Sequence, residues 1–500
     1  MPDNSISNLG ARALARVLPR RRLLTVLVAG ATIPLLAACG GSATAIVTAS
    51  TTRTTTVAAT PSLASTTSRT AAAPATSAAT TTSATTTSAA AAPVATAAPT
   101  QPVAAGSKLV FWNATEGTVT GYEQGDKNGF LDYFRAKHPE IQLEADYFPD
   151  IYTKYEKTAV AGTPPDVSFV SVVSVYDYAK KGFLTNLQPY WNRSKLGMGN
   201  YYQVFFDAMR YPSTTADLYA IPYEWINTWL TYNKDLFQHA GVPFPDETWT
   251  YAKVRDTAHG LTDSTKPQWG TTSSIDYSHL GCIIPSNGGS HLSPDYRKCT
   301  FDSPENVNTI QYLHDLMYKD NAAPPSGTKA PDKGWFVNNQ QSISMWDCCG
   351  TLGTYRQSKG LSWDITLNPK GTKGQYNVGW SNQYVISTVS KVKDSAWELI
   401  TDSIRPDRPP LTFGQGKAPI IKAAAEAWLV DQKNEPPANL KVYLDEQYLT
   451  QLVVGPNWND WQKVLNQQLN DALQNKVSVP DAVTAATKAV QVVLDKAFAS

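Results

Sequence analysis

The residues of this chain best suited to bind a polar ligand are acids, amides and aromatic side chains that follow its apolar strand segments. Carboxylates and amides form paired hydrogen bonds with hydroxyl groups, and aromatic rings stack on apolar faces. In open α/β sheets, ligands lie beyond the carboxyl ends of the strands. That rule selects Asn113, Glu116, Ser171, Tyr223, Glu224, Trp225, Trp346, Asp347, Trp380 and Asn382.

Paired carboxylates also allow hydrolytic chemistry. Glycosidases use two carboxyl groups about 5–10 Å apart, one as the acid and one as nucleophile or base. Glu116, Glu224 and Asp347 suit these roles by type, and their positions in the sequence leave open whether they face each other. GxSxG, HExxH, P-loop and GxGxxG motifs are absent from the sequence. A secreted glycoside hydrolase or lyase is therefore the alternative to a binding protein.

The cysteines indicate an oxidising compartment. Apart from Cys39, four remain, and they allow three pairings. The easiest predicted disulfide joins Cys282 to Cys299 across a loop containing Gly, Ser and Pro, and would contribute about 3 kcal/mol. Cys348 and Cys349 form either a strained vicinal disulfide or two thiols. Without a CxxC motif or clustered histidines, we expect no metal site and no cofactor.

The N-terminal 105 residues read as an export signal and a tether. Arginines precede an apolar run of 16 residues at 23–38, which is shorter than the roughly 20 residues of a spanning helix. The run ends in LAACG at 36–40, a lipobox pattern that predicts a signal peptide over 1–38 and lipidation of Cys39. Residues 39–105 are rich in Ala, Thr, Ser and Pro and predict a disordered tether.

Residues 106–500 are long enough for two lobes and contain alternating strand and helix patterns. Strands are predicted at 108–113, 141–147 and 166–173, and helices at 130–138, 151–161 and 175–181. Further helices begin at Ser303-Pro304 and at Pro480-Asp481. The alternation predicts an α/β fold with mainly parallel sheets.

The charge of this body excludes one class of partner. The first 105 residues hold seven arginines, no lysine and one acid, so residues 106–500 carry 36 basic and 41 acidic side chains. The resulting net charge of −5, with no block of lysine or arginine, argues against a nucleic-acid partner.

Several phrases, in the same order, resemble the family 1 extracellular solute-binding proteins of ABC importers, the group that includes maltose-binding protein. They are KLVFW at 108–112, FRAKHPEI at 134–141, AGTPPDV at 161–167, AKKGFL at 179–184, YAIPYE at 219–224, LTYNKDLF at 230–237, AGV at 240–242 and ETW at 247–249. The resemblance implies a two-lobed, type II periplasmic-binding-protein-like fold with hinge crossovers. Its N-lobe would hold about 106–220 and a later returning segment, and its C-lobe mostly 225–500.

The same resemblance implies an extracytoplasmic lipoprotein, monomeric and anchored to the cell membrane through Cys39. It would capture a mono- or oligosaccharide without catalysis and deliver it to two permease subunits and a cytoplasmic ATPase. Glu224 aligns with an acidic position that contacts sugar in maltose-type relatives, and Trp380 with a loop near the ligand. Other ligands of the same fold, namely polyamines, peptides or iron complexes, stay open, as does an adhesion or cell-wall scaffold.

Overall fold

The computed structural model describes residues 107–114, 129–407 and 416–499. The predicted signal peptide, the lipidation residue Cys39, the tether and Glu116 lie outside the described residues. Among the helices that the structure describes, none is long and apolar enough to cross a membrane.

The first half of the fold alternates strands and helices, and its first six elements lie over the segments that the apolar pattern predicts. Its elements are β1 Lys108–Ala114, α1 Phe130–Lys137, β2 Gln142–Phe148, α2 Ile151–Val160, β3 Val167–Ser171, α3 Val172–Lys180, α4 Gln188–Arg193, α5 Gln203–Asp207, β4 Arg210–Tyr211, β5 Asp217–Leu218, β6 Ile221–Ile226 and β7 Thr228–Asn233. β3 is shorter than predicted, because the chain turns into α3 at Val172.

The second half is richer in helices. Its elements are α6 Lys234–Ala240, α7 Tyr251–Leu261, α8 Tyr277–Ser286, α9 Pro304–Tyr318, β8 Ile343–Cys348, α10 Cys349–Gln357, β9 Trp363–Thr366, β10 Asn377–Ile386, α11 Lys393–Ser403, β11 Ala418–Pro419, α12 Lys422–Asp431, β12 Leu449–Gln451, α13 Trp458–Leu473 and α14 Val479–Ala499. The cap predicted for α9 is confirmed, since the Ser303 hydroxyl accepts a hydrogen bond from Asn306 N at 3.2 Å.

The larger sheet, which defines the first lobe, has the strand order β11-β6-β10-β3-β1-β2, and β12 also pairs with β10. β1 is parallel to β2 and β3, whereas β10 is antiparallel to both β3 and β6. This sheet is therefore mixed and not mainly parallel. The physical reason is that β6 leads out of the first lobe and β10 leads back into it, so the two strands run in opposite directions.

The smaller sheet, which defines the second lobe, has the order β8-β7-β9. Both of its strand pairs are antiparallel. An isolated bridge between Trp269 and Gln341 adds a parallel contact beside them. The expectation of a mainly parallel sheet is thus wrong for this lobe, although the two-lobed α/β class is confirmed.

The crossovers between the lobes are short and carry buried polar contacts. β6 and β7 are separated by Asn227 alone, whose Nδ2 donates to the carbonyl of Tyr443 at 2.8 Å. Thr228 then donates from Oγ1 to the carbonyl of Val378 in β10 at 3.1 Å. Because buried polar groups must keep their partners, these bonds hold the outgoing and returning strands in a defined arrangement.

The predicted disulfide between Cys282 and Cys299 is not present: among the described residues, no disulfide joins the cysteines. Cys282 lies in α8, where its Sγ accepts from Val378 N at 3.2 Å and contacts Thr228 Oγ1 at 3.2 Å. Burial raises the pKa of this thiol to about 12. Cys282 therefore has a structural role at the crossover, where a buried, protonated thiol packs as a small apolar side chain.

Candidate ligand-binding site

Three of the predicted site residues lie side by side on neighbouring strands of the larger sheet. Asn382 in β10 pairs with Ser171, the last residue of β3, and on its other side with Glu224 in β6. Adjacent strands are about 4.8 Å apart, which brings three short polar side chains into one row. The sequence predicts each of these residues, and the strand order brings them together.

Glu224 lies at the end of the row next to β11 and is 5% exposed. Its Oε1 accepts a hydrogen bond from Asn382 Nδ2 at 2.6 Å and lies 3.4 Å from Lys417 Nζ. Lys417 is also buried, at 8% exposure, so the two charges form an ion pair largely removed from water. Both of these contacts are made by Oε1.

Lys417 lies in the candidate site, and no motif or strand pattern in the sequence analysis selects it. It precedes β11, and the pairing of Ala418 with Trp225 brings it beside Glu224. Gly416, at φ +79°, allows the backbone there to approach α10 of the second lobe: a Cβ on Gly416 would lie 2.6 Å from the Leu352 side chain. The lysine therefore enters the site where the two lobes meet, through a contact between segments distant in the chain.

Trp380 provides the aromatic surface at this position. It is partly buried, packs against Ile226, Cys348 and Cys349, and meets the Tyr277 ring edge-on, with centroids 5.5 Å apart. It occupies β10 two residues before Asn382, so both side chains lie on the same face of the strand. A partly exposed indole beside a polar row can stack on the apolar face of a ligand.

The other predicted tryptophans are more deeply buried. Trp225 is fully buried, donates from Nε1 to the carbonyl of Pro419 at 3.0 Å, and packs on Tyr202 and Phe205. These contacts place it in the core of the first lobe, on the side away from its neighbour Glu224. Alternation along β6 explains why adjacent residues differ in role.

Tyr223 and Asn113 both contact Tyr384, which lies two residues after Asn382 in β10. The Tyr223 ring stacks on Tyr384 at 4.2 Å and 5°, and Asn113 Nδ2 donates to the Tyr384 hydroxyl at 3.3 Å. Both predicted residues are buried. Their contacts fix the orientation of β10 and so of Asn382.

Trp346 and Asp347 belong to the second lobe, at the end of β8. Trp346 has φ +63°, which is strained for a bulky side chain. The conformation is held because its N–H donates to Asn368 Oδ1 at 3.2 Å and its indole meets His279 with centroids 4.5 Å apart. Trp346 is 2% exposed, so it packs as a buried residue in this structure.

The carboxyl group of Asp347 is buried and hydrogen-bonded by the second lobe itself. The Tyr355 hydroxyl donates to Oδ2 at 2.9 Å and the Ser344 hydroxyl to Oδ1 at 2.8 Å. Burial raises the pKa of Asp347 to about 6. Tyr355 and His279 were not selected from the sequence. The N-cap Asp276, whose side chain accepts from Ser278 and His279 N–H groups, marks the helix start that positions His279.

The short crossover from β6 to β7 connects the polar row of the first lobe with Trp346 and Asp347 of the second lobe. Cys348, which follows Asp347, pairs with Thr228, two residues after the end of β6. Tyr443 lies close enough to interact electrostatically with Cys349, Cys348 and Glu224. Within the part of the chain that the structure describes, no group of His, Cys, Asp or Glu could hold a metal ion.

A two-lobed α/β molecule with polar and aromatic side chains gathered at its interlobe crossovers has the architecture of a protein that binds a small molecule between its lobes. The chain belongs to the bacterial extracellular solute-binding protein family, whose model matches residues 117–401. As that description states, the family is extracellular and consists of binding proteins, so this is an extracytoplasmic solute-binding protein.

Curated relatives are also named as binding proteins. Binding proteins of Brucella abortus and Brucella suis are 23% identical over 370 residues, covering 70% of this chain and 85% of each relative.

Similar folds occur in three solved structures. An ABC substrate-binding protein of Listeria monocytogenes in complex with cycloalternan has a TM-score of 0.64 and 20% identity, covering 78% of this chain and 99% of that one. The cyclic alpha-maltosyl-1,6-maltose binding protein of Arthrobacter globiformis has a TM-score of 0.66 and 19% identity, covering 78% of this chain and 100% of that one. The sugar-binding protein of Xanthomonas citri has a TM-score of 0.66 and 16% identity, covering 78% of this chain and 98% of that one. At these identities the similarity shows the fold.

Proposed function

We propose that this protein captures an oligosaccharide outside the cytoplasmic membrane and delivers it to an ABC importer. The observation that carries the proposal is the row of Ser171, Asn382 and Glu224 beside the partly exposed ring of Trp380. A sugar presents hydroxyl groups at its edge and C–H groups on its faces, so it needs both kinds of surface. The Listeria protein in complex with cycloalternan and the cyclic alpha-maltosyl-1,6-maltose binding protein of Arthrobacter, which share this fold, support the same ligand class.

The mechanism of capture is closure of the two lobes around the ligand. The polar row belongs to the first lobe, whereas Tyr277, which contacts Trp380, belongs to a helix packed on the second. A ligand held by both lobes stabilises the closed form in proportion to its differential affinity for that form. The closed, loaded protein is then the species that docks on the importer.

The cellular setting follows from the N-terminal sequence. Lipidation at Cys39 would anchor the protein to the membrane, and the Ala-, Thr-, Ser- and Pro-rich tether would let it reach two permease subunits served by a cytoplasmic ATPase. Each acyl chain contributes about 0.8 kcal/mol per buried CH₂, so two chains hold a protein firmly at a membrane. The receptor would act as a monomer.

The environments of the two carboxylates support binding without catalysis. Glu224 is paired with Lys417, and both oxygens of Asp347 accept hydrogen bonds from second-lobe hydroxyls. A glycosidase pair needs one carboxyl group as a proton donor and the other as nucleophile or base toward the sugar. Glu224 and Asp347, the two candidate acids that the structure describes, are instead held by partners within the protein, which favours a binding role.

The test is calorimetric titration of the purified protein with cycloalternan, maltotriose, mannotriose, spermidine and a tripeptide. We expect micromolar binding of at least one sugar, about −8 kcal/mol, and its recovery unchanged. Trp380→Ala should weaken that binding about tenfold, because the stacking surface is lost. Trp397→Phe, a change at a buried tryptophan of α11 whose ring contacts Tyr190, is the control and should leave affinity unchanged. Binding of spermidine or the peptide alone, or a cleaved sugar, would contradict the proposal.

A further inference from the structure

Two adjacent cysteines, Cys348 and Cys349, lie at the junction of β8 and α10 in the second lobe. Cys348 is the last residue of β8 and Cys349 the first of α10, and the two residues are 8% and 5% exposed. Among the residues that the structure describes, no disulfide joins the cysteines, so the pair is present here as thiols. Because the sulfurs belong to consecutive residues, an oxidant can join them without bringing distant segments of the chain together.

The pair lies where the two lobes meet. Cys348 and Cys349 form a small buried cluster with Ile226, the last residue of β6, and this cluster is separate from the main hydrophobic core. Trp380, the proposed stacking residue, packs against the same cluster. A Cβ on Gly416 would lie 3.3 Å from Cys349 Cα, so the backbone before β11 also runs close to the pair. The backbone at residues 348–349 therefore supports two first-lobe segments of the candidate site.

A bond between these two sulfurs is strained by its position in the chain. Consecutive Cα atoms are about 3.8 Å apart across a trans peptide, whereas the Cα atoms of an ordinary disulfide are about 4.4–6.8 Å apart. A strained disulfide is more easily reduced, which is typical of labile and regulatory bridges. A bridge between neighbours also closes almost no loop, so it constrains the unfolded chain very little. Such a bond is reversible and contributes little stability, unlike a structural disulfide.

We propose that Cys348 and Cys349 are a site of reversible thiol oxidation, at which a vicinal disulfide lowers the affinity of the candidate ligand site. The oxidant is a small-molecule disulfide, a class that persists outside the cytoplasm. One cysteine thiolate attacks a sulfur of the oxidant and displaces one thiolate, and the second cysteine attacks the resulting mixed disulfide and displaces the other. The two cysteines lose two electrons and two protons, and the oxidant becomes two thiols.

The effect on the ligand follows from the packing of Trp380. Because the neighbouring Cα atoms are closer than an ordinary disulfide allows, joining the sulfurs distorts the backbone at the junction of β8 and α10. In the thiol form, the Thr351 hydroxyl donates to the Cys348 carbonyl at 2.8 Å, and Cys348 pairs with Thr228 in β7. Distortion there disturbs these contacts and shifts the surface on which Trp380 packs. This effect on affinity rests on the proposed function, whereas the oxidation itself does not.

The first experiment incubates the full-length protein with oxidised glutathione, alkylates it under denaturing conditions and maps its cysteines by mass spectrometry. The tryptic peptide 334–356 contains Cys348 and Cys349 and no other cysteine. We expect this peptide to be unalkylated and lighter by two hydrogen atoms after oxidation, and to carry two alkyl groups after treatment with dithiothreitol. Two alkylated cysteines after oxidation, a lasting glutathione adduct, or a bridge to Cys282 or Cys299 would overturn the inference.

The second experiment titrates the reduced and oxidised protein with cycloalternan, maltotriose and mannotriose. Oxidation should weaken sugar binding about tenfold, the loss expected when one aromatic stacking contact is disturbed, and dithiothreitol should restore it. Because coupling between two sites is reciprocal, saturating sugar should make the bridge about tenfold harder to form in a glutathione buffer. Unchanged sugar affinity in protein whose peptide 334–356 is fully oxidised refutes the coupling to the ligand site.

The double variant Cys348→Ala/Cys349→Ala removes both sulfurs and keeps small apolar side chains, so oxidised glutathione should leave its sugar affinity unchanged. Thermal unfolding checks that it is folded, and the corresponding double serine variant serves if it is not. Cys299→Ala, at a buried cysteine outside the site, is the matched control and should keep the wild-type response to oxidation.

A response to oxidation that persists in the folded double variant assigns the effect to another residue and overturns the inference. Absence of binding to all three sugars would instead refute the proposed function. In that case, the mass of peptide 334–356 would still decide whether the oxidation site exists.

Discussion

The buried carboxyl group of Asp347 predicts a stability that changes with pH in a defined direction. Burial raises its pKa from 3.8 to about 6 in the folded protein. Between these two values the folded state holds a proton that the unfolded state has released. The free energy of unfolding therefore falls as pH rises through this window, by about 3 kcal/mol for a shift of about two pKa units.

Asp347→Asn removes the titration and nearly preserves the shape. The asparagine oxygen can accept from one of the two hydroxyls of Ser344 and Tyr355, and the other hydroxyl can accept from the new amide. At low pH, the difference in unfolding free energy between the variant and the wild type reflects only this exchange of hydrogen bonds. From pH 4 to pH 8, the stability of the variant relative to the wild type should rise by about 2 to 3 kcal/mol.

The assay is urea unfolding of both proteins at a series of pH values. Equal slopes of unfolding free energy against urea concentration would confirm that the two unfolded states are comparable. Asp431→Asn, at the exposed C-terminal end of α12, is the control and should show no such pH-dependent difference. A relative change below about 1 kcal/mol, or a change of opposite sign, would refute the reasoning that burial dominates the carboxyl group.

Two further predictions concern the cysteines and the glycines. Because Cys282 and Cys299 are not joined, dithiothreitol should leave the unfolding temperature unchanged. A disulfide would contribute about 3 kcal/mol to stability. A lower unfolding temperature on reduction would therefore show that a bridge exists. Gly270→Ala should destabilise by more than about 3 kcal/mol, since its Cβ would lie 1.8 Å from the Ala258 carbonyl oxygen. Gly353→Ala in α10 is the control, because no atom lies within 4 Å of a Cβ placed there. It should stabilise the protein by up to about 1 kcal/mol. If chemical denaturation shows equal changes in unfolding free energy for the two variants, the packing argument is contradicted.

Local elements were predictable where the signal is contained in a few consecutive residues. Asn233 caps α6 by accepting from Leu236 N at 3.1 Å, and α14 buries Val483, Val490 and Leu494, whose spacing suits one face of a helix. The end of β3 was misplaced because Val172 and Val173 are apolar and β-branched, so they fit either a strand or the helix they begin.

The candidate site was only partly predictable. The rule of positions after strands selected Ser171, Glu224 and Asn382 one by one; the structure places all three within strands and makes them neighbours through the pairing of β10 with β3 and β6. The same rule could not separate Trp225 from Trp380, since both are tryptophans near strand ends. Trp225 is the more deeply buried of the two because helix α5 and Tyr443 pack against it.

What the sequence by itself determined is the class of molecule: alternating strands and helices, capped helix starts, and the family phrases that imply two lobes. These features are local or collinear, so they are readable along the chain. The tertiary structure decided the direction of β10, the left-handed backbone at Trp346 and the pairing of Lys417 with Glu224. Each depends on contacts between segments distant in sequence, which arise only when the crossovers bring the two lobes together.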